Sequence, residues 1–160
     1  MVLELDRFIK PFLGIPYPSY DWCYAVADME YEEIGKIKKR FNCPKTWDQV
    51  SKDDMQHYHE MLFFIPNDRD KLYYFPAYIK YLLEKPKELD GTGFDYTFFM
   101  VLKDIDPSIL TDKQKEALID LLSYIKKHND TYEYADELLK DALQKLIYHH
   151  HPWRNHRHTP

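Results

Sequence analysis

Residues 72–83 read Leu72-Tyr-Tyr-Phe-Pro-Ala-Tyr-Ile-Lys-Tyr-Leu-Leu83, an aromatic stretch with one proline inside it. Pro76 has no backbone N–H, so the carbonyl of Leu72 loses the partner that a continuous α-helix would supply. The apolar side chains still recur at steps of three and four residues, which is the spacing of one helical face. The segment therefore predicts a helix that is kinked at Pro76 or begins there, with an inner face formed by Leu72, Phe75, Ile79 and Leu83.

Cap residues predict further helices on both sides of this segment. Ser51, with Asp54 three residues later, begins a helix that we expect to continue as far as Pro66. Thr111 and Gln114 form the same kind of capping box at the start of another helix. These two signals place one helix before the Pro76 segment and one well after it.

The remaining segments give weaker signals. Asp130 with Glu133 is expected to cap a final helix, which should pack antiparallel to its predecessor because the connection is short. Asp28 is a plausible start for a helix that would end near Phe41. Residues 94–102 favour a short apolar helix, although their β-branched and aromatic side chains would also suit a strand.

Together these patterns predict an all-α protein, a single compact bundle of five to six helices with an extended Pro-rich N-terminal segment. That segment is Ile15-Pro-Tyr-Pro-Ser-Tyr20, in which each residue before a proline is disfavoured from helical geometry. We expect one helical domain over residues 1–148 and a His-rich polar tail over residues 149–160.

The 160-residue chain carries a net charge of −5, which disfavours a dedicated nucleic-acid surface and attachment to an anionic membrane. Cys23 and Cys43 form no Cys-x-x-Cys pair, so neither a zinc ribbon nor a redox motif is expected. The first 14 residues lack the apolar run of a signal peptide. We therefore expect a cytoplasmic bacterial protein with no cofactor.

The segment Tyr73-Tyr-Phe-Pro-Ala-Tyr78 resembles the "YYLPAY"-like helix of a bacterial family of small helical proteins catalogued only as a domain of unknown function. This chain has Phe75 where that family usually has leucine. Other similar segments follow in the same order: Ile15-Pro-Tyr-Pro-Ser19, Thr46-Trp47-Asp48, Leu62-Phe-Phe-Ile-Pro66 and Leu110-Thr-Asp-Lys-Gln114. The resemblance spans residues 15–147 and implies a compact helical domain, but neither a reaction nor a catalytic residue.

Histidines and paired acids are the first candidates for chemistry, and none forms a recognisable motif. His57 and His59 lie two residues apart on an expected helix, so they face nearly opposite sides, and His57 is expected to form a surface ion pair with Asp53 or Asp54. Asp104 and Asp106 could hold Mg²⁺, although a turn at Pro107 is the favoured interpretation. The tail histidines would bind metal only adventitiously. We predict no catalytic residue and no metal site.

Tyrosine is the remaining functional signal, with 14 copies in the chain. One core should not absorb every tyrosine of the Pro76 helix, so some rings are expected at an exposed rim suited to protein contact. The alternative is an aromatic core with amphipathic edges. The candidate binding residues are Tyr73, Tyr74, Tyr78 and Tyr81.

Two functions from different classes fit these observations. The first is a small acidic protein-binding module, immunity-like or accessory to a bacterial defence system, with a protein partner. The second is a small-molecule-binding module or enzyme that uses an aromatic pocket with acidic residues, for which Asp104, Asp106 and His57 are the candidates.

Overall fold

The computed structural model describes residues 2–18, 35–36, 40 and 46–150. Every regular element in these ranges is helical, so the prediction of an all-α protein is confirmed. Six of the α-helices have seven or more residues, and three are single turns of four. The α-helices are α1 (Val2–Ile9), α2 (Lys52–Tyr58), α3 (Met61–Phe64), α4 (Asp68–Lys71), α5 (Phe75–Glu84), α6 (Phe94–Asp104), α7 (Asp112–Lys127), α8 (Asn129–Tyr132) and α9 (Asp136–His150).

Short 3-10 turns lie between several of these helices. They span Lys10–Phe12, Trp47–Gln49, Leu72–Tyr74, Lys87–Leu89 and Pro107–Ile109. Residues 15–18 form no helix. Four parts of the chain discussed above lie outside the described residues. They are most of the helix expected from Asp28 to Phe41, both cysteines, residues 19–20 and the tail from residue 151.

Helix α5 begins at the expected proline. Pro76 occupies the first turn of α5, where its missing N–H costs no helical hydrogen bond. The preceding turn is a 3-10 turn, and its geometry lets the Phe75 N–H donate to the Leu72 carbonyl that Pro76 cannot reach. The prediction of a proline-initiated helix is therefore confirmed.

Helix α5 is buried on nearly every side rather than along one face. It packs against α1, α6 and the 3-10 turn Trp47–Gln49, so neighbours surround it. Leu72, Phe75 and Ile79 are buried as expected, whereas Leu83 is only partly buried. A helix that is apolar around most of its circumference belongs in the centre of a core, and α5 has that position here, because seven of its ten residues are buried.

The helix expected from Ser51 to Pro66 is interrupted. Its capping box is present, because the Ser51 hydroxyl accepts from the Asp54 N–H and the Asp54 carboxylate accepts from the Ser51 N–H. A continuous helix would also need the Phe63 N–H to reach the His59 carbonyl. That carbonyl instead accepts the Tyr78 hydroxyl, and Phe63 donates to Glu60 at 2.9 Å. The chain therefore forms two helices, α2 and α3.

The end of the chain also differs from the expected single helix. Residues 129–132 form the separate turn α8, and α9 begins only at Asp136, so Tyr134 lies between helices although it is buried. His150 at the end of α9 lies 3.8 Å from Glu116 near the start of α7, so the two helices pack antiparallel, as expected. Helix α9 includes His149 and His150, which the sequence analysis placed in the tail.

The ambiguous segment 94–102 is helical and extends to Asp104 as α6. Its C-terminal end is capped from α9, because the Lys145 ammonium donates to the Ile105 carbonyl at 2.6 Å and to that of Lys103. A cation at a helix C-terminus also interacts favourably with the helix dipole. In the part of the chain that the structure describes, no helix combines the length and the apolar character needed to cross a bilayer.

Candidate functional site

The four candidate tyrosines are all buried, so the expectation that some of their rings lie at an exposed rim is wrong. Tyr74 and Tyr78 have no exposed surface, and Tyr81 and Tyr73 retain 4% and 8%. The prediction failed because it assumed that α5 has one inner face, whereas neighbouring elements enclose it. The alternative considered from the sequence, an aromatic core, matches the packing of these rings.

Backbone carbonyls accept hydrogen bonds from the hydroxyl groups of two of these buried tyrosines. Tyr78 donates to the His59 carbonyl, and Tyr81 donates to that of Val50 at 2.9 Å. Burial raises the pKa of both hydroxyls, which keeps them protonated as hydrogen-bond donors. These tyrosines therefore bridge helix α5 to the loops around it.

The polar candidates for an enzyme have local roles. The His57 ring lies 3.2 Å from Asp53, which is the surface ion pair expected from their spacing. The Asp106 carboxylate accepts from the Ser108 N–H at 2.9 Å, and this hydrogen bond lowers the pKa of Asp106. Asp104 is exposed at the end of α6. The turn expected at Pro107 is present.

A cleft of about 410 Å³ opens where the ends of α5 and α8 meet the start of α6. Residues 85–86, 89–91, 93–95 and 132–134 line it, and we call it the acidic cleft. Phe94, Tyr132 and Tyr134 are among its lining residues, and their side chains are largely buried, with 2%, 9% and 8% of their surface exposed. Its volume lies in the range of small-molecule sites, about 300–1,000 Å³.

Backbone with positive φ is concentrated at this cleft. Lys85 has φ of +40° and Glu133 has φ of +53°, and both follow the last residue of a helix. Gly91 and Gly93 have φ of +72° and +84°. Among the described residues these four are the ones with positive φ, and all of them line the cleft. Non-glycine residues in such conformations are uncommon and occur often at functional sites.

The carboxylates of Asp90, Asp95 and Glu133 make the cleft acidic, with Lys85 as the cation among its lining residues. Burial raises the pKa of the Tyr134 hydroxyl, and the negative charges of Asp95 and Asp90 raise it further. That hydroxyl donates to the Leu82 carbonyl at 2.7 Å, so the ring is fixed in the wall. The cleft thus has a fixed and largely buried aromatic wall in a negative electrostatic environment.

His59 lies behind the glycine turn that forms one edge of the cleft. Its Cε1 atom would be 3.9 Å from a Cβ added to Gly93. The His59 Nδ1 atom and the Thr97 hydroxyl form a 2.7 Å hydrogen bond, and partial burial lowers the pKa of the ring. Thr97 has only 1% of its surface exposed, so this pair connects the residue after α2 to helix α6 rather than presenting a nucleophile.

Sequence reasoning missed the cleft residues because the cleft forms from two stretches that are far apart in the chain, residues 85–95 and 132–134. The Gly91-Thr-Gly93 turn was visible in the sequence, but nothing adjacent to it predicted α8 or the left-handed conformation of Glu133. In the described part of the chain, no group of three or more histidine, cysteine or acidic side chains is arranged to hold a metal ion.

Comparisons of the chain with protein-family models, curated proteins and solved structures found no match. The resemblance to the helical family with the "YYLPAY"-like helix therefore stays a prediction, carried by Tyr73-Tyr-Phe-Pro-Ala-Tyr78 and the similar segments around it.

Proposed function

We propose that this protein is a binding module that holds a small organic ligand in the acidic cleft. The observation that carries the proposal is that three features occur at one place. They are a cleft of the size of a small ligand, an aromatic wall, and every residue with positive φ among those that the structure describes. This is the aromatic pocket with acidic residues considered from the sequence, although the acids are Asp90, Asp95 and Glu133 instead of Asp104 and Asp106.

Two physical arguments support binding at this place. First, left-handed backbone costs free energy at non-glycine residues, on the order of 1–3 kcal/mol each, and such residues are found at helix ends and are also concentrated at binding sites. Second, hydrogen bonds fix the wall in advance: Asn129 accepts from the Tyr134 N–H at 3.0 Å, and the Tyr134 hydroxyl donates to Leu82. A wall that is already ordered loses little entropy when a ligand binds.

Protein binding is a second candidate, and we propose it for a different surface. Ile147 and Tyr148 at the end of α9 are 40% and 59% exposed, and adjacent apolar side chains of this size are typical of contact surfaces. An immunity-like or defence-accessory role would use this surface together with the net charge of −5. Replacement of Tyr148 by Ala should then abolish capture of a partner from native lysate, whereas Asp90→Trp should not.

Ligand-observed NMR with a library of small fragments tests the proposal directly. Asp90 is exposed at the mouth of the cleft, so Asp90→Trp should fill the entrance with an indole ring and abolish binding of the fragments. Lys87→Trp is the matched control, because Lys87 is exposed on the adjacent 3-10 turn and does not line the cleft. Fragments that bind Asp90→Trp as well as the natural protein, or a library without any binder, would contradict the proposal.

A further inference from the structure

The charges around the acidic cleft favour a ligand of positive sign. Three carboxylates and one ammonium line it, so its formal charge is 1 − 3 = −2. Burial raises the pKa of the Tyr134 hydroxyl, and Asp95 and Asp90 raise it further, as carboxylates close to the aromatic wall do. A cation entering the cleft would meet their negative potential beside the ring.

The aromatic wall already has a cation near it. The Lys85 ammonium lies 6.0 Å from the centre of the Tyr134 ring, at the outer limit of a cation–π contact. Tyr132 stacks on Tyr134 with 5.6 Å between ring centres, and Phe94 meets Tyr134 edge-on at 6.4 Å. The Tyr134 ring is largely buried, and the protein's own ammonium group marks the side from which a positive charge reaches it.

The same residues are unsuited to an inorganic cation. Divalent metal ions need several oxygen ligands converging within about 2.0–2.6 Å of one point. No group of three acidic or histidine side chains is arranged in that way within the ranges that the structure describes. Carboxylates spread around a volume of about 410 Å³ suit a large cation with diffuse charge.

From these observations we propose that the acidic cleft binds an organic cation through its ammonium group, which takes the place of Lys85 near the Tyr134 ring. This inference rests on the proposed function and specifies the ligand class. Asp90, Asp95 and Glu133 supply the countercharge, and Tyr134 supplies the ring. Lys85 acts as an internal competitor, which leads to an unusual expectation: removal of this lysine should strengthen ligand binding.

The test compares three probes of the same shape and different charge, measured by NMR titration of the full chain. They are choline, its uncharged isostere 3,3-dimethylbutan-1-ol and the anion 3,3-dimethylbutanoate. We expect choline to bind at least about tenfold more tightly than the alcohol, and the anion to bind more weakly than either. Choline affinity should also fall as the salt concentration increases, because salt screens the carboxylates.

Variants separate charge recognition from damage to the fold. Lys85→Asn removes the ammonium, and asparagine tolerates the left-handed backbone at this position. We expect it to increase choline affinity about threefold or more, whereas Lys87→Asn should leave it unchanged. Asp95→Asn should reduce choline affinity by a similar factor. Thermal melts of each variant verify that it is folded.

Each outcome separates this inference from the proposed function. The cation inference is wrong if the alcohol or the anion binds as well as choline, or if Lys85→Asn weakens choline binding, while binding of any probe in the cleft still supports the proposed function. If none of the three probes binds, the inference is tested by the charges of the library fragments that bind in the cleft. If cations are no more frequent among these fragments than in the library, the inference is wrong. A chain that binds neither probes nor fragments overturns both.

Discussion

At the scale of single residues, tyrosine hydroxyls are donors to carbonyl groups that helices and loops leave available. Tyr78 and Tyr81 donate to carbonyls of His59 and Val50, and Tyr134 donates to Leu82 near the end of α5. A buried carbonyl without a partner costs about 1–3 kcal/mol. The tyrosines of this chain therefore link the central helix to the surrounding segments, which explains how a core can contain so many of them.

Replacement of Tyr78 by Phe tests this role, because it removes the hydroxyl and keeps the ring. We expect the free energy of unfolding to fall by about 1–3 kcal/mol, since the His59 carbonyl loses its donor. Tyr96→Phe is the control, because Tyr96 is 51% exposed and should change stability little. Urea unfolding measures both values, and equal stability of the two variants would refute the role.

His59 should make stability depend on pH. Its pKa in the folded protein lies below the ordinary value of 6.5, mainly because burial disfavours the charged ring, although Glu60 and Asp95 oppose this effect. As the pH falls below 6.5 the unfolded chain binds a proton that the folded protein does not, so stability decreases. Above 6.5 both states are neutral and the effect vanishes.

Melting temperatures between pH 5 and pH 8 check this prediction. The His59→Gln variant should lose part of the decrease in stability below pH 6.5, whereas His57→Gln should retain it, because His57 is exposed and lacks the burial that acts on His59. An unchanged pH profile in His59→Gln would show that other groups cause the dependence.

At the scale of elements, helix ends shape the acidic cleft. Glu133 follows α8 in a left-handed conformation that glycine adopts without strain. Glu133→Gly should therefore stabilise the fold by about 1 kcal/mol and weaken binding of a cation in the cleft. The same substitution inside α7, Glu116→Gly, should destabilise the protein by about 1 kcal/mol. Thermal unfolding of both variants provides the measurement, and a destabilised Glu133→Gly would contradict the account.

Local signals in the sequence predict where many helices begin and end. The capping boxes at Ser51 and Thr111 and the proline at residue 76 act within a few residues, so they are visible without the fold. The break between α2 and α3 is different, because the carbonyl at the break, that of His59, accepts a hydrogen bond from Tyr78, 19 residues further along the chain. Tertiary contacts of this kind cannot be recognised from local patterns.

The candidate site could not be predicted from the sequence for a related reason. The spacing of residues 72–83 implies a helix with a single inner face, which would leave some tyrosines exposed. In the structure α1, α6 and the turn at Trp47 all pack against α5. The acidic cleft joins Lys85, Asp95 and Glu133 from segments up to 48 residues apart. Only the folded chain brings these charges together.

At the scale of the whole molecule, α5 is the centre of the core, and its apolar residues should control overall stability. Ile79 has no exposed surface, so Ile79→Ala should lower the free energy of unfolding by about 2–5 kcal/mol. Ile147→Ala is the matched control, because Ile147 is 40% exposed. Denaturant unfolding of the two variants gives the comparison, and a loss below 1 kcal/mol at Ile79 would argue against a central α5.

We propose that the functional site is the acidic cleft and not the tyrosines of α5 and of the turn before it. The chain has four glycines, and two of them, Gly91 and Gly93, line the cleft. Their amide signals fall in a sparsely populated region of a ¹H–¹⁵N correlation spectrum, so they report on the cleft directly. Gly14, which does not line the cleft, serves as an internal control.

The decisive measurement is a titration of the ¹⁵N-labelled full chain, first with choline and then with the fragments that bind to the protein. The account predicts progressive shifts of the Gly91 and Gly93 signals together with those of Lys85 and Glu133, and no shift of Gly14. Shifts confined to other surfaces, such as the end of α9 around Tyr148, would contradict it.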